Sequence, residues 1–347
     1  MFMSFLEEDI ESIANFNLPW NKLANSTILV TGATGLIGSL LVKALNRVNI
    51  KNRLNLKIIA LVRNIDKAMS VFHDCEVEFI VQDIRNKILH VDKIDFIIHC
   101  AAITKSIEMT TYPVELIHTE VFGTENVLEL AKEKKVKSFV YISSMEVYGQ
   151  INKTFGKVSE DELGYLNMKS VRTCYPESKR ICECLCISYY SEYIVPIKIA
   201  RLAQTFGAGV SNEDTRVFAQ FAKSVIEGKD IILHTDGKSV GNYCYTADAI
   251  KGILILLLNG VNGEIYNISN EDTNMTILEM AELVSKKIAN GKISLVINKE
   301  SNMLENIYAP PVIMKLSSDK IRKLGWQPEY GIEEMYHRMI GELLSEQ

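Results

Sequence analysis

The 347-residue chain contains no apolar run approaching the roughly 18–20 residues needed to cross a bilayer. Its longest such run, Ile253 to Leu258, is far shorter and reads as part of a helix. The start turns acidic at Glu7-Glu8 with no basic segment before it, which argues against a secretory signal. An excess of positive charge is also missing: 38 Lys and Arg stand against 43 Asp and Glu, for a net charge of −5, so no nucleic-acid partner is expected. The seven cysteines, Cys75, Cys100, Cys174, Cys182, Cys184, Cys186 and Cys244, include no Cys-x-x-Cys, and no histidine stands at ligand spacing to them. Only Cys182 and Cys186 would share a helix face. No metal is therefore expected, and reduced, buried thiols in a cytoplasmic protein are the simplest account. Repeats, low-complexity tracts and long linkers are absent as well. What remains is a globular chain, long enough for one large α/β domain with a smaller lobe attached.

Three stretches of the chain carry the chemistry. The first, Ser26 to Thr31, is a short apolar strand followed by Gly32-Ala33-Thr34-Gly35-Leu36-Ile37-Gly38 and the helical run Ser39 to Leu45. In a strand, glycine-loop, helix unit, Gly32 allows the tight turn, Gly35 lets backbone approach a pyrophosphate, and Gly38 permits close helix packing. The backbone N–H groups at the helix start then face the phosphates. The second is the strand Lys57 to Val62, which ends at Arg63-Asn64. An acidic residue at that position holds the adenosine ribose, whereas an arginine can receive a 2′-phosphate, so Arg63 leans the cofactor from NAD towards NADP. The alternative is a solvated surface arginine beside backbone-bound NAD. Further strands are expected at Val77 to Val81 and Ile94 to His99. The former leads to Asp83-Ile84, where a carboxylate could meet the adenine edge. The latter ends at Cys100-Ala101-Ala102, small residues over which a cofactor could lie.

The third stretch runs from Tyr141 to Lys179. A buried-strand pattern, Phe139 to Ile142, leads into Ser143-Ser144-Met145-Glu146-Val147-Tyr148-Gly149, and a polar loop then reaches Tyr175-Pro176-Glu177-Ser178-Lys179. On a helix, Tyr175 and Lys179 share one face. A nearby ammonium favours the phenolate, and the Ser144 hydroxyl at a strand end could complete a proton-transfer site. Alternation of strands with helices, including a long one over about Pro113 to Lys135, predicts a Rossmann-type doubly wound parallel sheet whose ligand crevice lies at the carboxyl ends of the strands. The expected division is an N-terminal helical extension at 1–25, with an amphipathic helix over Glu7 to Phe16 that serves as a packing arm. A cofactor domain follows at 26–202 plus 243–269, and a substrate lobe at 203–242 plus 270–347.

Four landmarks occur together in order: Thr31-Gly32-x-x-Gly35-x-x-Gly38, Asp83-Ile84, Ser144-x-x-Val147-Tyr148-Gly149 and Tyr175-x-x-x-Lys179. From about residue 26 onward the chain resembles the extended short-chain dehydrogenases/reductases, specifically the nucleotide-sugar epimerases, dehydratases and decarboxylases. That resemblance implies that Tyr175 takes a sugar hydroxyl proton while hydride leaves C4 for a tightly bound NAD or NADP. Lys179 would lower the Tyr175 pKa and hold the nicotinamide ribose, and Ser144 would bond the reacting oxygen. Ser144-Met145-Glu146-Val147-Tyr148-Gly149 is similar to the matching segment of dTDP-glucose 4,6-dehydratases and UDP-glucuronate decarboxylases, which gives Glu146 the role of a C5 base. Met145 replaces the aspartate that protonates the leaving hydroxyl in dehydratases, and a thioether cannot donate a proton. The segment Arg172 to Arg180 looks most like the decarboxylases. Gln204 stands where asparagine is usual, and so does Glu120; Gly241 stands where a basic residue usually holds the diphosphate. Substrate contacts are accordingly expected from Ser144, Met145, Gln204, Arg216, Val217 and Tyr243, with Arg216 or Lys238 on the diphosphate. The implied partners are a nucleotide-diphosphate sugar and a second copy of the chain in a homodimer, with the helix over Arg180 to Tyr190 in the contact. The open alternatives are decarboxylation, C4 epimerisation, an NADPH-dependent keto-sugar reductase and a non-enzymatic cofactor-binding protein.

Overall fold

The computed structural model describes residues 3–89, 92–151, 156–298 and 312–345; part of the expected substrate lobe, 299–311, lies outside the described residues. Seven parallel strands form the main sheet: β1 (Thr27–Thr31), β2 (Lys57–Val62), β3 (Glu78–Val81), β4 (Phe96–His99), β5 (Ser138–Ser144), β6 (Ile197–Leu202) and β10 (Glu264–Ile268). Their spatial order is β10-β6-β5-β4-β1-β2-β3. β1, β4 and β6 are buried along their whole length, as a parallel sheet covered on both faces requires. The order reverses between β1, which pairs with β2 on one side, and β4 on the other. Thr31 is level with His99 in that pairing, so the glycine loop after β1 and Cys100-Ala101-Ala102 after β4 leave the sheet side by side, at the place where open α/β sheets bind ligands.

Helices alternate with the strands along the chain. α1 (Phe5–Ala14) starts at a Ser4 N-cap, α2 (Leu36–Asn52) follows the glycine loop, α3 (Ile65–Val71) follows β2, and the short α4 (Ser106–Thr111) precedes α5 (Pro113–Lys134). α5 has Pro113 in its first turn, where a missing N–H costs nothing. α6 (Cys174–Tyr193) likewise holds Pro176 in its first turn, so the proline starts the helix rather than breaking it. α7 (Val217–Glu227) and α8 (Thr246–Asn259) come next. α9 (Ile277–Leu283) continues through a π-helical turn, Val284–Ile288, and α10 (Asp319–Arg322) and α11 (Ile332–Ser345) follow.

Two small sheets form the rest: β7 (Gln204–Phe206), β9 (Val240–Tyr245) and β11 (Asn270–Thr276) in one, β8 (Ile231–Leu233) and β12 (Leu295–Ile297) in the other. Residues 243–245, expected in the cofactor domain, therefore belong to the smaller sheet, because β9 pairs with β7 and β11 and not with the main sheet. The N-terminal helix is tied into the body by a buried cluster: Asp9 accepts from Tyr245 Oη at 2.6 Å and from Arg338 Nη2 at 2.8 Å.

Candidate active site

The glycine loop has the stereochemistry that a dinucleotide cradle requires. Gly32 has φ +62°, and a Cβ there would come within 2.7 Å of the Ala101 backbone. A Cβ at Gly38 would come within 2.8 Å of Ala33 Cα and press on the Gly32 carbonyl. Gly35 is the N-cap of α2 in extended conformation, so the N–H groups of Leu36, Ile37 and Gly38 form the open first turn of a 17-residue helix. Thr34, Leu36 and Ile37 are part-exposed on this loop. Ala101 N–H donates to Thr31 Oγ1 at 3.2 Å, and Thr31 Oγ1 lies 2.6 Å from His99 Nδ1, which fastens the two loops together. A cradle that a single Cβ would fill, next to an open helix start, fits a cofactor pyrophosphate.

The residues expected around the adenine end are arranged differently from one another. Arg63 is exposed at the end of β2. Asp83 is forked by its neighbour Arg85, at 3.0 and 2.7 Å, and Arg85 with help from Arg63 holds its carboxyl below the usual range. Asp83 thus meets an adenine only as one half of an ion pair. Ile84 is buried against Gly123 of α5, and its carbonyl accepts from Asn126 Nδ2 at 3.0 Å.

Tyr175 and Lys179 do share one face of α6. Lys179 Nζ donates to Ile142 O at 3.1 Å and lies 5.8 Å from the centre of the Tyr175 ring. Its closest charged partner is Glu120 of α5, with Oε2 at 3.0 Å; both side chains are almost wholly buried. Glu120 Oε1 accepts from Ile103 N–H at 3.1 Å, which anchors the loop between β4 and α4. Burial opposes the Lys179 charge, but Glu120 outweighs it and the pKa moves up, so the ammonium is secure. Tyr175 departs from expectation. Burial, together with Glu146 and Glu120, raises its pKa despite the opposing effects of Lys179 and of a hydrogen bond with Ser144. Lys179 pulls in the expected direction and is outweighed in this state. Tyr175 is also covered: Met109 of α4 and Leu116 of α5 pack against it, and Cys174 Sγ donates to Met109 O at 3.3 Å.

Ser144 ends β5 and caps the short turn Met145–Tyr148, accepting from Glu146 N–H at 3.2 Å. This turn presents Glu146, whose side chain is one-third exposed, while Met145 points into the main core. Arg172 was not expected to take part. It lies in a 3-10 turn just before α6, nine-tenths buried, donates from Nη2 to Glu146 Oε1 at 2.8 Å, and sits 5.7 Å from the Tyr175 ring centre. Its Nη1 is buried with no partner among the described residues. The hints in the sequence are its place three residues before Tyr175 and the likeness of the segment Arg172 to Arg180 to the decarboxylases.

The frame behind the site was equally invisible in the sequence. Glu183 of α6 is forked by Arg201 of β6 at 2.9 and 2.7 Å and also accepts from Ser143 Oγ at 2.6 Å. This buried triad locks α6 onto the sheet beside Ser144. Arg180 reinforces it by donating to Val147 O and Gly164 O, each at 2.8 Å.

The expected substrate contacts divide. Gln204 is exposed at the start of β7 and Val217 is part-exposed at the start of α7. Arg216 is not a free cation, because Asp214 grips it through Nε at 3.0 Å and Nη2 at 2.5 Å. Lys238 pairs with Asp236 at 3.2 Å. Tyr243 is a correction: its ring is fully buried at the edge of Phe206, and its hydroxyl fills the space that a side chain at Gly241 would need. An aromatic on β9 at this register points into the lobe core rather than at a ligand.

A parallel sheet with a glycine cradle at its reversal point, and a serine, tyrosine and lysine converging nearby, is an arrangement suited to an enzyme that uses a nucleotide cofactor. The particular family comes from comparison: residues 28–269 match the NAD dependent epimerase/dehydratase family, and the chain belongs to it. UDP-glucuronic acid decarboxylase 6 of Arabidopsis thaliana is 30% identical over 312 residues, which cover 90% of this chain and 87% of that protein. The dTDP-D-glucose 4,6-dehydratase of Bos taurus is 26% identical over 90% of this chain and 87% of its own length. Among solved structures, the dTDP-glucose 4,6-dehydratase DesIV from Streptomyces venezuelae, with NAD and TYD bound, superposes with a TM-score of 0.75. It is 23% identical, with 92% of this chain and 97% of that chain covered.

Proposed function

We propose that the protein oxidises a nucleotide-linked hexuronate at C4 and releases its C6 carboxylate as carbon dioxide. The carrying observation is Arg172, a buried cation beside Glu146 whose Nη1 lacks a partner among the described residues, a donor that a substrate carboxylate would satisfy. Met145 supports the same reading, since decarboxylation needs no acid for a departing C6 hydroxyl. The likeness to UDP-glucuronic acid decarboxylases agrees with it.

Tyr175 takes the C4 hydroxyl proton, with Ser144 bonded to the same oxygen. A nicotinamide cofactor, which the glycine loop and Lys179 would hold, would supply the hydride acceptor for C4 and the hydride for its return. The C4 ketone stands β to the carboxylate. The C5–C6 bond breaks, its electron pair moves into the C4 carbonyl as an enolate, and carbon dioxide departs. Glu146 is the carboxyl group placed to handle the proton that C5 then gains. Return of hydride to C4 and of the Tyr175 proton to its oxygen leaves no net oxidation.

The 4,6-dehydratase reading rests on Glu146 as a C5 base and on the dehydratase relatives; it lacks a C6 acid at Met145. Incubation with UDP-glucuronate and, separately, dTDP-glucose tells the two apart. The expected result is carbon dioxide and a nucleotide pentose from the first and no change in the second. A 4-keto-6-deoxy product from dTDP-glucose, with no carbon dioxide from any nucleotide uronate, overturns the decarboxylase reading.

Three finer points belong to the same proposal. Arg63, exposed and near enough to stabilise the Asp83 charge, favours a 2′-phosphate and hence NADP; calorimetric titration with NAD and NADP tests this. The two small sheets, contributed by segments after 203 and 270 together with 243–245, form the substrate lobe. Exposed Ile117 and Phe122 on α5 and Ile181 on α6 lie on helices that pack together, and support a homodimer through this face. A monomer mass by light scattering would refute that contact.

A further inference from the structure

We propose that Glu120 is a positioning residue for the acid/base step: it neutralises Lys179 in the resting site, so that Tyr175 keeps its proton until oxidised cofactor, with its positively charged ring, is seated beside it. The inference rests on the redox role of Tyr175 and is independent of the fate of the sugar.

The geometry allows a full account of the ammonium. Lys179 has three donors. One goes to Ile142 O at 3.1 Å, while Glu120 Oε2, 3.0 Å away, is an ion-pair partner with no hydrogen bond among the described residues, so it offsets the ammonium's charge and leaves donors for a ribose or for Tyr175. Glu120 cannot swing away easily, because its other oxygen holds Ile103 N–H at 3.1 Å and its side chain is fully enclosed. An amide at this position would brace the loop equally well but leave the ammonium uncompensated.

The charges around Tyr175 then balance. Lys179 comes from its own helix and Arg172 from the turn before it. Glu146 comes from the turn after β5, Glu120 from α5, and Cys174 is the adjacent thiol. Two cations face two carboxylates, so the site offers no net positive field to offset the desolvation of a phenolate. The upward shift of the Tyr175 pKa agrees with this balance. A cationic ring tips the balance only while it is bound, so proton removal is coupled to the presence of oxidised cofactor.

The test is a pH titration of Tyr175 by NMR of protein with 13Cζ-labelled tyrosine, its line assigned from Tyr175→Phe. Glu120→Gln is expected to lower the Tyr175 midpoint by about one unit or more, and to move the limb of the pH–rate profile that reports Tyr175 in the same direction. Glu120→Asp, which keeps the charge, is expected to restore the wild-type midpoint. Adding the oxidised cofactor that calorimetry shows to bind, NAD+ or NADP+, to the wild-type protein should also lower it. An unmoved midpoint in a folded Glu120→Gln protein overturns the proposal. Should that variant fail to fold, the charge-balanced Glu120→Gln/Lys179→Met protein replaces it. Its midpoint is expected near wild type, and a large shift there, or no effect on the wild type of whichever of NAD+ and NADP+ binds, is equally fatal. Neither readout requires turnover of a sugar, so failure here is separable from failure of the decarboxylase reading.

Discussion

Arg172 donates from Nη2 to the Glu146 carboxylate at 2.8 Å, from a side chain that is itself nine-tenths buried. The pair binds the turn after β5 to the turn before α6, so the carboxyl proposed to act at C5 is oriented by a residue beside Tyr175. Arg172→Met is expected to lower kcat/KM for a nucleotide uronate by about 10²–10⁴-fold, a loss of the size that removing a positioned proton-transfer or charge-stabilising group produces. Glu146→Gln should leave C4 oxidation intact and slow the proton transfer at C5, so that reduced cofactor accumulates. Stopped-flow absorbance of the reduced nicotinamide reads both. Full activity in Arg172→Met would refute its role.

Tyr175→Phe removes the group proposed to take the C4 proton while preserving the ring against Met109 and Leu116. Turnover is expected to fall by about 10²–10⁴-fold, with cofactor affinity unchanged in a fluorescence titration, because Lys179 and the glycine loop remain. A parallel loss of cofactor binding would mean that the phenol holds the cofactor rather than the proton.

Glu183 and Arg201 form a bidentate ion pair whose side chains are 8% and 3% exposed. Breaking one side of such a buried pair leaves an uncompensated charge. Arg201→Met should therefore cost about 3–5 kcal/mol of stability, whereas Glu183→Leu/Arg201→Met should cost much less. Urea unfolding of the three proteins measures the difference, and equal losses in the single and double variants would contradict it.

His99 is buried between Thr31 and Thr124, and burial, aided by Lys179, drives its pKa down to about 3. The unfolded chain binds this proton near pH 6.5 and the folded protein does not, so His99 should erode stability as pH falls from about 6.5 towards 3 and have no effect above. Asp248 works in the opposite sense. Burial raises its pKa to about 7 although the Glu329 and Tyr330 N–H groups bind its carboxylate. Its contribution is complete below the unfolded value near 4 and is lost as pH rises through about 7. Thermal melts across pH 4–8 should show a steeper acid loss in Asp248→Asn and a shallower one in His99→Gln. Unchanged slopes in both would contradict these environments.

The local elements were legible where a single residue's chemistry decides them. Gly32 and Gly38 announce close backbone approaches that the folded loop displays, and the apolar runs at 27–31 and 57–62 are strands because both faces are covered. Tyr175 and Lys179 share a face because helical spacing alone puts them there. Arg172, Glu120 and the Glu183–Arg201 pair were opaque for the opposite reason. Each takes its meaning from a partner on another element, 26, 59 and 18 positions away along the chain respectively. Arg216 and Tyr243 show the converse failure: residue types suited to a ligand were claimed by Asp214 and by the core around Phe206.

The amino-acid sequence by itself determined the doubly wound sheet, the glycine loop and the placing of Ser144, Tyr175 and Lys179, because periodicity, glycine geometry and helical spacing are short-range properties. Only the tertiary structure decided the electrostatic state of that set. Whether Lys179 activates Tyr175 depends on which charges burial places around the pair. A carboxylate on α5 and the ion pair between Glu146 and Arg172 enter that balance only when α5, α6 and the turn after β5 pack together, out of reach of water.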